Sequence, residues 1–133
     1  MHAQMHATGN MIDYTPAAAL SAGDVVVMND RMCAVATRDI AAGALGALAI
    51  EGIFKIEKEN VAFVAGQDVY WDEGNDRAIA SGGAYFGKAV PKPDGTPDVA
   101  ASATDDHVYV KLLHALDTDY GTATGTGTGP DDA

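Results

Sequence analysis

Polar and apolar positions alternate most cleanly along residues 48–57, where Leu48, Ile50, Phe54 and Ile56 share one parity and Glu51, Lys55 and Glu57 the other. A period of two predicts a strand with one buried and one wet face. Only Ile53 breaks the pattern, and Gly52 in its middle predicts a bulge or bend of a strongly curled sheet. Residues 107–113 repeat the alternation, with Val108, Val110 and Leu112 on one side and His107, Tyr109 and Lys111 on the other, and form the closing strand. Residues 25–28 and 32–37 are two apolar runs joined across Asn29-Asp30, which predicts a hairpin. The densest stretch is 62–90. Val69-Tyr70-Trp71 precedes the turn formers of 72–76, Ala78-Ile79-Ala80 resumes apolar character, and Ser81-Gly82-Gly83 turns into a third strand over 85–90. These three strands predict a small meander. In the third, Gly87 lets a neighbouring backbone approach closely, and Pro91 cannot continue a ladder.

The passages Ala22-Gly23-Asp24-Val25-Val26 and Ala65-Gly66-Gln67-Asp68-Val69-Tyr70 resemble each other, a weak repeat of 43 residues that suggests two similar meanders closing on one another. The predicted fold class is therefore all-β, a small β-barrel or β-sandwich built from two meanders. Its core is expected at Val26, Ile50, Phe54, Val69, Trp71, Val108, Val110 and Leu112. Residues 1–15 read as an extended N-terminal arm in which Met11-Ile12-Asp13-Tyr14-Thr15 forms a strand ended by Pro16. Residues 16–116 make the β domain, with a long exposed loop expected over 91–104 from its three prolines. Residues 117–133 are Gly/Thr/Asp-rich with no base, a composition too poor in apolar surface to fold, and read as a flexible tail.

A chain of 133 residues is one domain by length. Its 47% hydrophobic content owes much to Ala, with 7% aromatic, a thin core that points to an oligomer or larger assembly. With 8 basic against 19 acidic residues the formal charge is −11, which excludes nucleic acid as a partner at ordinary salt. A single cysteine, Cys33, forms no intrachain disulfide and reads as a small buried hydrophobe. With neither a membrane-length apolar run nor a signal-like N-terminus, the chain is expected to be made in a cytoplasm and to use no membrane.

No catalytic, cofactor or metal motif survives its context. His2 and His6 lack a third ligand, and the acidic 72–76 turn lacks the spacing of a calcium loop. The glycines of 121–129 are followed by no Lys, and Ser21, Ser81 and Ser102 sit in no nucleophile elbow. His107 and His114 have opposite parity on one strand and make a poor acid–base pair. Carboxylates paired only in space stay open as a hydrolase reading.

The order of several short pieces resembles a known family. Gly23-Asp24 before a Val run, Val35-Ala36, Ala42-Gly43, Gly52-Ile53-Phe54, Gly66 ahead of Val69-Tyr70-Trp71-Asp72, Gly87-Lys88-Ala89 and Val108-Tyr109-Val110-Lys111-Leu112 together are similar to the small capsid decoration, or cement, proteins of tailed bacteriophages. The likeness spans residues 11–113 and departs at Gln67, where family members tend to run from Gly directly to Asp. It implies a structural protein with no active site that binds the outside of an icosahedral head and reinforces the expanded shell. The implied partners are the major capsid protein and further copies of the chain, as a homotrimer or a dimer. Met11, Ile12 and Tyr14 are the expected partner contacts, through strand addition to a neighbour's sheet edge. The rival reading is a carbohydrate or small-ligand module with Tyr70, Trp71 and the 72–76 turn as its platform.

Overall fold

Eleven strands and no helix make up the described residues, 2–29 and 31–114 of a computed structural model. The expected tail at 117–133 lies outside them. β1 (Met11–Tyr14), β2 (Val25–Met28), β3 (Met32–Ala36) and β4 (Gly46–Ala49) form one antiparallel sheet in the order β1-β4-β3-β2. A second sheet has the order β5-β11-β9-β7-β8, built from β5 (Ile53–Glu57), β7 (Asp68–Asp72), β8 (Arg77–Ile79), β9 (Ala84–Ala89) and β11 (His107–Leu112). β6 (Phe63–Val64) and β10 (Val99–Ala101) pair as a two-stranded ribbon. The two sheets pack face to face as a sandwich, with β3 against β9.

The 48–57 pattern holds in its burial and fails in its continuity. Leu48 and Ile56 are buried and Glu51, Lys55 and Glu57 exposed, yet the run is two strands in two different sheets. Gly52, at φ 129°, takes a backbone conformation that a side chain disfavours, and there the chain leaves the first sheet for the second. The 62–90 stretch is no meander. β7 and β8 form the expected hairpin, but β9 crosses to the other side of β7, pairing Tyr70 with Tyr85 and Trp71 with Ala84. The 43-residue repeat appears in the structure as equivalent backbone bonds. Gly23 N–H donates to Ala36 O and Ala36 N–H to Asp24 O, while Gly66 N–H donates to Ala89 O and Ala89 N–H to Gln67 O. The same turn thus grips the next strand in one sheet and the next but one in the other. The 91–104 segment is likewise no continuous loop, because β10 lies within it and buries Ala100 and Ala101.

The main core lies between the sheets. Val69, Trp71, Val108, Val110 and Leu112 are buried there as expected, while Phe54 packs at its margin. Val26 and Ile50 belong instead to a second cluster on the far face of the first sheet, where Leu20 and Ile40 close over Ala34, Ala36 and Leu48. The largest fully buried side chains are Phe63 and Phe86. Phe86 is the extra residue of a bulge, since Val69 pairs with Gly87 and Tyr70 with Tyr85. Its ring centroid lies 6.5 Å from that of Phe54, edge to face, and 6.2 Å from that of Trp71. Burying such a ring contributes roughly 1.5–3 kcal/mol.

The five-stranded sheet curls until its edges meet at a single bridge, Lys58 to Ala78, without closing a barrel. Lys58 is 7% exposed, and its ammonium donates to the carbonyls of Glu59 at 3.1 Å and Val61 at 2.8 Å. Burial pulls its pKa down, opposed by Asp105, Asp106 and Glu59. The side chain therefore anchors the chain reversal between β5 and the ribbon.

Candidate interaction surface

β1 is an edge strand of the chain's own sheet. It pairs with β4 in the register Met11 to Ala49, Ile12 to Leu48, Asp13 to Ala47 and Tyr14 to Gly46. Ile50 N–H donates to Asn10 O at 3.1 Å, so the hydrogen-bonded pairs fall at the even positions of β1. The N–H and C=O groups of Met11 and Asp13 therefore point away from β4, along the outer edge of the sheet. The side chains divide by parity. Ile12 and Tyr14 pack into the second cluster, whereas Met11 faces the other way and is 38% exposed. Of the three expected contact residues, Met11 alone presents its side chain outward. Beside it lies a shallow depression of about 500 Å³ lined by Met11, Asp13, Thr37, Arg38, Leu45, Gly46 and Ala47. Leu45, 73% exposed, was not expected there. Its only sequence signal was a large apolar residue stranded in an Ala/Gly loop.

The places where chemistry was sought are otherwise occupied. Trp71 is 7% exposed and packed on Phe86, so its ring is part of the core. In the 72–76 turn Asp72 accepts hydrogen bonds from Gly74 N–H at 3.0 Å, Asn75 N–H at 3.3 Å and Asn75 Nδ2 at 2.8 Å. The Asn75 side chain, chiefly, holds the Asp72 carboxyl below its ordinary range. Cys33 is fully buried, and that burial, followed by the charge of Glu73, pushes its thiol up to about 12. Such a thiol is no nucleophile at neutral pH. An open cleft of about 510 Å³ is lined by Asp24, Lys55, Glu57, Asp76 and His107 with Trp71. Among the described residues no hydrogen bond or ion pair joins these titratable side chains, and none gather in a group of three metal-ligating residues.

A family profile described as phage cement protein matches residues 6–112. The chain belongs to that family. Membership in the cement family associates the chain with the phage capsid and marks it as a structural protein of the virion. The match begins before β1 and ends at the last residue of β11, so it takes in both sheets and the open edge. No curated protein and no solved structure gives a significant match. Among the described residues no helix is long and apolar enough to cross a membrane.

Proposed function

We propose that this cement protein binds the outer surface of an icosahedral phage head, contacts the major capsid protein there, and stabilises the expanded shell as a homotrimer with no catalytic role. It is made in the host cytoplasm and meets the head during assembly. The observation that carries this reading is the open edge of β1, where the main-chain groups of Met11 and Asp13 face outward beside the apolar side chains of Met11 and Leu45. An unpaired edge is a template for a further strand, with main-chain bonds supplying affinity and flanking pockets supplying selectivity. Many such contacts repeated over a shell act together even when each is modest. A carbohydrate platform would need an open ring face at Trp71, and that ring is packed in the core.

Proline substitution tests the edge. Asp13→Pro removes only an outward N–H, so the variant is expected to keep its fold and lose binding to heads that lack this chain, measured by co-sedimentation. Ile12→Pro removes an N–H directed at β4 and is expected to destabilise the sheet itself. Undiminished binding by a folded Asp13→Pro variant contradicts the edge as the contact.

A further inference from the structure

The outward face of the five-stranded sheet carries a second pattern. On β5, β11 and β9, Lys55 stands opposite Tyr109, Ile53 opposite Lys111, and Lys111 opposite Lys88. Like charges directly across a ladder repel, and such a pair weakens the sheet unless an anion answers it. Only one of the two is answered. Lys88 Nζ lies 2.8 Å from Asp68 Oδ1, an oxygen that also accepts the Tyr85 hydroxyl at 3.1 Å. Lys55 and Lys111 make no ion pair among the described residues. Thus three of the eight basic residues of a chain with net charge −11 gather on neighbouring strands, two of them without an ion pair, and the exposed Glu57 is the carboxylate beside Lys55 on the same strand face. Between them Ile53 is 59% exposed and Tyr109 is half-buried. The exposed Ile53 and half-buried Tyr109 supply an apolar centre and the lysines a charged rim, the layout of a protein interface with its apolar core and polar periphery.

We infer that this face is a second docking surface, whose occupant is a carboxylate-bearing, partly aliphatic patch of the shell protein. The inference rests on the reading that the chain binds a phage head. A cement must hold at least two neighbours to resist their separation, and this face belongs to the sheet that does not contain the open β1 edge. A symmetric dimer through this face would have Glu57 and the already paired Asp68 to answer three lysines, a poorer match than a carboxylate-bearing partner. A nucleic acid would meet the repulsion of the whole acidic chain.

The test uses the full chain, heads lacking it, and two double variants, Lys55→Glu/Lys111→Glu and Lys55→Arg/Lys111→Arg. Binding by co-sedimentation is expected to weaken at least about tenfold with Glu and to stay near wild type with Arg. Wild-type binding should fall with salt, and that dependence should flatten in the Glu variant. Melting temperatures should not fall, since Lys111→Glu sets an opposite charge across from Lys88, and that separates lost contact from lost fold. The inference is overturned if the Glu variant binds within about twofold of wild type. It is equally overturned if the loss comes with a changed sedimentation coefficient, which would place the face between copies. Failure of the wild-type chain itself to bind heads removes the capsid reading first, and the inference with it.

Discussion

Tyr85 shows how one side chain on the outer face is tied into the fold. Its hydroxyl donates to Asp68, whose carboxylate also meets Lys88, and its ring packs edge to face on Tyr70 at 5.6 Å. Burial first, and the Asp68 carboxylate second, push the Tyr85 phenol up to about 12, while the bond from Lys88 leads in drawing the Asp68 carboxyl down. The folded chain therefore keeps the phenol proton between its ordinary pKa of 10.0 and about 12, where the unfolded chain has lost it. Stability from Tyr85 is intact below that window and falls as pH rises through it. The Asp68 contribution is present above 3.8 and is lost as pH falls through its lowered value. An ultraviolet titration of the native protein is expected to show a late-ionising tyrosine that disappears in Tyr85→Phe. An unchanged titration curve in that variant would contradict the assignment.

The strands were legible where alternation was clean, and their partners were not. Val108, Val110 and Leu112 declared their inward face in the sequence, and the two strands around Asn29 declared their hairpin. Phe86 did not, because the bulge that buries it breaks the parity on which such readings depend. Phe63 sits in a two-residue strand, too short for any period, and its partner β10 hides among prolines. The strand crossing from β8 to β9 is equally silent in local pattern, since pairing is decided by the whole sheet. The exposure of Met11 was visible only as an extended segment, and its outward direction came from the register against β4. One close approach was legible in advance. A Cβ at Gly87 would be driven into the Lys111 carbonyl of β11, a backbone atom that cannot yield without opening the ladder. Gly87→Ala is therefore expected to cost at least about 3 kcal/mol by denaturant unfolding, more than ordinary overpacking of a core. Gly74→Ala, whose Cβ would meet only the Asp72 side chain at 3.4 Å, serves as the mild control. Equal midpoints for the two variants would contradict the close β9 to β11 packing.

As a whole, the molecule is a sandwich whose interior is filled and whose distinguishing features face outward. Trp71 and Cys33 are core, Asp72 is held within its own turn, and the open strand edge and the lysine face lie on different sheets. Contact at both proposed places would make the acidic chain a bridge between neighbouring shell subunits. The most direct measurement is the temperature at which purified heads release their DNA, compared between heads lacking the chain and the same heads with the chain added back. Added chain is expected to raise the release temperature in a saturable way, and an Asp13→Pro chain is expected not to. Heads that release DNA at one temperature with or without bound chain would contradict the account.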